Sequence, residues 1–306
     1  MLKDIIPSEL YNCLLNNCNT KDIMEIRIRQ NKPICVCLNG NYSTLTLQNG
    51  KELYADKKLI DYIILRATDS SLYCYNDQLR QFYLTCSGGI RIGICGEVVT
   101  ENDKIATVKN IYSLTIRIPH EIIGCSNNIL NYIYNMGRVK NTLIISPPGM
   151  GKTTLLRDLS RSICSCEKII NGLVIDERQE LAGYCGREEN LNVGNYADVI
   201  TKSSKPIGII EGVRSIRPDV IFTDELRDEQ DANAVLYAMA SGVSVIATVH
   251  GDSLNSLTNK IFIRQLLNSR QIENYIFLSN RNGVGTIDAI YNKNLKPVWG
   301  DEVWSI

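Results

Sequence analysis

Residues 142–154 read T-L-I-I-S-P-P-G-M-G-K-T-T, and the rest of the chain is arranged around them. A β-branched run, Leu143-Ile144-Ile145, leads into a Pro/Gly turn, after which Lys152, Thr153 and Thr154 open a helix-forming stretch, Leu155-Leu156-Arg157-Asp158-Leu159. Strand, glycine-rich loop and helix in that order are the context in which such a pattern reads as a phosphate loop. The residue types answer to the chemistry. Gly149 and Gly151 let the backbone turn its N–H groups onto phosphate oxygens, and a helix starting near Lys152 adds the positive end of its dipole. Lys152 reaches the β- and γ-phosphates, and Thr153 offers a hydroxyl to Mg²⁺. Pro148, Gly149, Met150, Gly151, Lys152, Thr153 and Thr154 are therefore the candidate nucleotide-binding residues. Ser146 stands where the usual pattern opens with glycine, so the start of the loop is expected to differ while the phosphate cradle is complete.

Downstream the pattern becomes a βα alternation. Apolar strands at 142–145, 172–175, 219–223 and 244–248 imply a mainly parallel sheet with ligands at the carboxyl ends of its strands. Leu173-Val174-Ile175 runs into Asp176-Glu177, an acidic pair suited to holding Mg²⁺ through water or orienting an attacking water. Val220-Ile221-Phe222-Thr223 runs into Asp224-Glu225, the Walker B arrangement of one acid for the metal shell and a second to polarise water. Val245-Ile246-Ala247-Thr248 ends near His250, where a side chain can contact a γ-phosphate or relay its loss. Three polar strand ends in this order after a phosphate loop predict an α/β, RecA-like P-loop NTPase core. Glu225 is the first choice for the base, followed by Asp176 and Glu177; sequence alone does not decide among them.

Residues 1–135 differ in character. Helical spacing over 2–15, with a start at Pro7-Ser8, precedes alternating strands at 23–29 and 34–38, a hairpin signal at Asn39-Gly40-Asn41, a helix near 57–67, and strands at 82–85, 90–94 and 114–118. Without regular βα alternation this is an α+β module, joined to the core (136–306) by a polar linker near 135–141. Arg91 and Arg117 each sit mid-strand between apolar neighbours, and two readings stand: solvated charges on an amphipathic strand, or arginines that reach a phosphate in an adjacent domain or subunit. Beyond 254 the pattern reads as a helix near 257–267, strands near 275–278 and 286–291, and a tail with Trp299 and Trp304.

The chain has 306 residues, 44% hydrophobic and 22% charged, in the range of a globular protein with room for two domains. Lys+Arg and Asp+Glu balance at 33 each, so no net charge points to nucleic acid as the main partner. The eleven cysteines include no C-x-x-C, and with only His120 and His250 a zinc site has little to draw on, so the thiols are read as unpaired in a reducing cytosol. No apolar run is long enough to span a membrane, and no signal peptide is visible, which reads as a cytoplasmic protein able to meet a membrane partner.

S-P-P-G-M-G-K-T-T-L-L-R-D-L, V-I-D-E-R-Q-E-L-A-G, S-I-R-P-D-V-I-F-T-D-E-L-R-D and S-V-I-A-T-V-H-G, with E-I-R-I-R, G-G-I-R-I-G-I-C-G-E-V-V and S-L-T-I-R-I before them, resemble in order and spacing the stage III sporulation protein AA family of endospore-forming bacteria. That family is similar to the secretion ATPases of type II and type IV systems. The resemblance implies that Asp176 and Glu177 occupy an aspartate box, Glu225 the Walker B glutamate and His250 a histidine box. It implies that Arg91 and Arg117 offer positive charge to bound nucleotide. Asp224 occupies a position those ATPases often fill with glycine, and looks like a general P-loop metal-shell residue. The resemblance further implies ATP with Mg²⁺ and a homo-oligomer, a hexamer, with nucleotide between subunits. It implies a peripheral place on the inner face of the mother-cell membrane, beside an integral membrane protein of the stage III sporulation complex. Two other readings remain open at this level: a nucleic-acid-handling RecA-like ATPase, and a nucleotide-dependent scaffold that hardly turns over.

Overall fold

The structure is a computed structural model and describes residues 2–38, 40–69, 75–135, 137–183, 191–252 and 260–300. Two compact units divide the chain, the first built on residues up to His120 and the second on Glu121–Ala182 and Leu191–Ile306.

The first unit begins with α1 (Leu2–Ile5) and α2 (Ser8–Asn17). Pro7, the N-cap of α2, divides the helical stretch because it brings no backbone N–H to the turn before it. A six-stranded antiparallel sheet follows, ordered β3-β2-β1-β6-β5-β4, from β1 (Ile23–Arg29), β2 (Cys35–Leu38), β3 (Asn41–Thr44), β4 (Tyr83–Thr85), β5 (Arg91–Glu101) and β6 (Lys104–Arg117). Of the expected turn signal at 39–41, Asn39 lies outside the described residues. Alternation along β1 sends Ile26 and Ile28 into the core with Leu114, Ile116 and Ile92, and leaves Glu25, Arg27 and Arg29 on the other face. Helix α3 (Lys57–Ala67), capped by Asp56, which accepts the Leu59 N–H at 2.8 Å, closes that core with Ile60 and Ile63. A short α4 (Asn76–Leu79) precedes β4. The β5–β6 ribbon is longer than expected; Asn102 and Asp103 turn it with φ of 51° and 58°, the left-handed pair of a two-residue hairpin.

In the second unit α5 (Leu130–Ile133) and the small hairpin β7 (Tyr134–Asn135) and β8 (Arg138–Val139) lead to β9 (Thr142–Ser146) and α6 (Lys152–Ile163). Then come β10 (Gly172–Asp176), β11 (Ala197–Thr201), α7 (Lys205–Ser215), β12 (Val220–Leu226), α8 (Glu229–Ala240), β13 (Ser244–His250), α9 (Ile261–Ser269), β14 (Asn274–Ser279), β15 (Thr286–Asn292) and β16 (Pro297–Gly300). The sheet order is β11-β10-β12-β13-β9-β14-β15-β16, parallel from β11 through β14 and antiparallel beyond. Period-two alternation splits each central strand between two cores. Leu143 and Ile145 face α7, α8 and α9, while Ile144 faces Leu156, Leu159 and Ile163 of α6. Coverage on both faces is why these strands read as unbroken apolar runs. The helix expected near 257–267 is α9; residues 257–259 of that stretch lie outside the described residues, as does Trp304.

Candidate functional site

The carboxyl ends of β9, β10, β12 and β13 bring the second unit's candidate residues to one edge. After β9 the loop turns through Gly149 (φ 74°) and Gly151 (φ 85°), the latter being the N-cap of α6. A Cβ on Gly151 would lie 3.1 Å from the Gly285 Cα, so that position needs glycine for its dihedral and for its neighbour. Pro148 and Met150 lie in the same turn, and Thr153 and Thr154 in the first turn of α6. Lys152 Nζ donates to the carbonyls of Ser146 and Pro147, both at 2.9 Å. Burial presses its ammonium below the ordinary lysine range; Asp224 and Glu225 pull it back up, and Lys260 adds to the depression.

Across the sheet edge the Thr153 hydroxyl donates to Asp224 Oδ2 at 2.6 Å, and the Thr248 hydroxyl makes a very short bond to Asp224 Oδ1. The register of β12 against β13 slips between Thr223 and Leu226, a bulge that carries Asp224 and Glu225. Glu225 has φ 40°, a strained value for a non-glycine residue, and its N–H is held by Thr248 Oγ1 at 2.7 Å and Asp224 Oδ1 at 2.9 Å. Its side chain is 44% exposed, with Arg178 3.8 Å away.

Asp176 and Glu177 are engaged differently. Asp176, 3% exposed, accepts the N–H groups of Glu180 (2.8 Å), Leu181 (3.0 Å) and Ala182 (2.8 Å). Burial raises its pKa against those bonds, with the Asp224 charge adding to the rise. Arg157, buried on α6, donates to the carbonyls of Leu181 and Glu180, both at 2.7 Å, so one carboxylate and one guanidinium pin the same turn. Glu177 is held by Lys205 at 2.6 Å and by a close contact with Arg227. His250 ends β13 opposite Ser146 of β9, and its carbonyl accepts from Lys260 Nζ at 2.6 Å.

Arg91 and Arg117 belong to the first unit, where they stand directly opposite one another on β5 and β6. Glu25, next along that row on β1, accepts Arg117 Nε at 3.3 Å, Arg27 Nε at 2.5 Å and the Tyr42 hydroxyl at 2.8 Å. Burial pushes the Glu25 carboxyl up, but these donors outweigh it and hold the pKa below the usual range. The Arg91 guanidinium lies over the Tyr83 ring, 4.2 Å from its centroid.

Thr248, Arg157, Lys205 and Arg227 join the site only through the fold. Of these, only Thr248 has a signal in the sequence, a hydroxyl two residues before His250 at a strand end; the other three act through partners 23 to 50 positions away. Thr153 and Asp224 supply hard oxygen donors, and among the described residues no group of three His, Cys, Asp or Glu forms a protein metal cage. That set fits an ion shared with phosphate oxygens, as Mg²⁺ requires. Among the described residues no helix is long and apolar enough to cross a membrane.

A mostly parallel sheet with a phosphate loop at its centre and an α+β unit before it is the architecture of the RecA-like secretion ATPases. The ATPase DotB of Legionella pneumophila superposes with a TM-score of 0.58 at 17% identity, covering 90% of this chain and 77% of that one. The pilus retraction motor PilT, solved with bound ADP, gives 0.61 at 15% identity, covering 95% and 83%. Residues 2–298 match the family described as sporulation stage III, protein AA, and the chain belongs to it. It is 33% identical over 298 residues to stage III sporulation protein AA of Bacillus subtilis (strain 168), covering 96% of this chain and 95% of that protein.

Proposed function

We propose that this chain binds and hydrolyses ATP as the motor of a secretion-like complex in endospore formation. The observation that carries the reading is the Thr153–Asp224 bridge at 2.6 Å with Glu225 set beside it in a strained bulge. Mg²⁺, when bound at Thr153 and Asp224, neutralises charge on the β- and γ-phosphates. The backbone of residues 148–154 cradles the phosphates, and Lys152 exchanges its carbonyl contacts for phosphate oxygens. Glu225 takes up a proton from the attacking water as the terminal P–O bond breaks, giving ADP and phosphate. It is favoured over Asp176 and Glu177, whose oxygens are committed to backbone N–H groups and to two cations. His250 senses the γ-phosphate from the end of β13.

Arg91 and Arg117 complete the site from the N-terminal module, taken as residues 1–135 before an ATPase module of 136–306. The two guanidinium groups stand opposite one another on one row of the sheet, Arg117 held by Glu25 and Arg91 lying over Tyr83, so both are presented from the same face. The active form is a homo-oligomer, a hexamer with ATP between subunits. It sits on the cytoplasmic side, peripheral to the inner face of the mother-cell membrane, and drives an integral membrane protein of the stage III complex toward the forespore; nucleic acid is not its partner. The test is Mg²⁺-dependent ATP hydrolysis as a function of protein concentration. Activity that rises more steeply than linearly and disappears in Lys152→Ala and in Glu225→Gln is the expected result. Hydrolysis unchanged in Glu225→Gln would exclude Glu225 as base, and DNA- or RNA-stimulated turnover would favour a nucleic-acid motor.

A further inference from the structure

Strand β10 ends in a turn that carries three charged side chains in succession, Asp176, Glu177 and Arg178, and two of the three are spent. Asp176 gathers the N–H groups of residues 180–182, and Glu177 is held between Lys205 and Arg227. The turn is fixed at both ends, because the Gln179 N–H closes it onto the Asp176 carbonyl at 3.3 Å and Gln179 is itself buried. Arg178 therefore leaves a rigid backbone, and its side chain, 47% exposed, lines a cleft with Asp224, Glu225 and Lys205. Among the described residues its guanidinium makes no hydrogen bond; its one partner is Glu225 Oε2 at 3.8 Å, too far for one. Neighbouring arginines differ. Arg157 donates to two backbone carbonyls and Arg227 to Glu177. Arg178 is the arginine of this edge whose donors are unspent, and it stands beside the carboxylate read above as the base.

A half-exposed ion pair of that length is weak and screened by solvent, whereas a phosphate takes a guanidinium by two parallel, charge-assisted hydrogen bonds. A terminal phosphate beside Glu225 competes for the same guanidinium and displaces the carboxylate. We infer that Arg178 donates to the terminal phosphate of a bound nucleoside triphosphate from within the same chain and gives up Glu225 in doing so, an inference that rests on the hydrolysis reading above. The exchange does two things. It offsets charge on the phosphoryl oxygens as the bond to ADP breaks, and it leaves Glu225 free to face the attacking water. Arg178 keeps its proton throughout, and the proton of the water still goes to Glu225. Once phosphate has left, the arginine returns to Glu225 and the base is again engaged. Arg91 and Arg117 lie in the other unit; Arg178 shares its unit with the phosphate loop and Glu225.

The experiment compares the full chain with Arg178→Ala and Arg178→Lys, at a protein concentration where turnover per chain has levelled off. Calorimetry measures the affinity for ADP with Mg²⁺, alone and with fluoroaluminate, a mimic of the phosphoryl group in transfer; steady-state kinetics give kcat and KM for ATP. Arg178 is half exposed and makes no hydrogen bond among the described residues, so an unchanged melting temperature is the fold control. Affinity for ADP alone should agree within about twofold among the three proteins. Fluoroaluminate should tighten ADP binding at least about tenfold in the wild type and not in Arg178→Ala, with Arg178→Lys between, because an ammonium supplies the charge without the planar fork. Turnover of Arg178→Ala should fall at least about a hundredfold with KM within a few-fold of the wild type. Tightening by fluoroaluminate that survives in Arg178→Ala overturns the contact, and so does an equal loss of affinity for ADP alone. Faster turnover in Arg178→Ala also overturns it, by making the arginine only a restraint on Glu225. Each of these results leaves the hydrolysis reading intact. A wild type that binds ADP yet neither hydrolyses ATP nor responds to fluoroaluminate overturns both readings together, as does one that binds no nucleotide.

Discussion

Asp176, Asp158 and Glu225 are three carboxylates within one unit, and their hydrogen bonds separate what each does. Asp176 spends its lone pairs on three backbone N–H groups, so Asp176→Asn, which replaces one acceptor by a donor facing a donor, should destabilise by about 2–4 kcal/mol. Glu225→Gln should leave the melting temperature within a degree or two and abolish hydrolysis; thermal denaturation beside an activity assay tells the two apart. Asp158 is buried, which pushes its carboxyl up, yet bonds from Ser126, Gly124 and Arg161 outweigh burial and hold the pKa below the usual range. The sign follows. A carboxylate depressed in the folded state stabilises fully above its unfolded value, near 4, and loses that contribution as pH falls through the lower folded value. Asp158→Asn should therefore cost roughly 3 kcal/mol at pH 7, with the gap to wild type narrowing below about pH 4 in melts taken across that range.

Strands β9, β10, β12 and β13 are legible in the sequence because a sheet covered on both faces demands unbroken apolar runs. Strand β11 is not: Ala197-Asp198-Val199-Ile200-Thr201 is a half-exposed edge with no such run. Helix α7 is hidden for a different reason. Gly208 and Gly212 lower its intrinsic propensity, yet a Cβ at Gly212 would come within 2.4 Å of Leu173, so close packing on β10 requires what local preference disfavours. The paired acids at the ends of β10 and β12 can be read as polar strand ends. Their division of labour cannot, since it depends on backbone groups of residues 180–182 and on Lys205 and Arg227, which only the fold brings near. Within the phosphate loop the two glycines differ in a measurable way. Both have positive φ, but Gly149 has open space beside it while Gly151 meets Gly285. Gly151→Ala should weaken ATP binding by tenfold or more and cost about 1–2 kcal/mol beyond Gly149→Ala in paired titrations and melts.

At the scale of the molecule each unit carries its own core, one beneath the antiparallel sheet of the first and two flanking the sheet of the second. A fragment of residues 121–306 should therefore unfold cooperatively on its own and bind ATP within several-fold of the full chain. If Arg91 and Arg117 complete the site, its hydrolysis should fall at least tenfold, which steady-state kinetics on fragment and full chain would show. The strand order has a further consequence for how the protein is made. Strand β9 lies between β13 and β14, so its partners leave the ribosome about 100 and 130 residues after it does. At roughly 5–20 residues per second, the phosphate loop waits on the order of 10 s after synthesis before its strand is enclosed. Until then the apolar run 143–145 has no strand partner on either side.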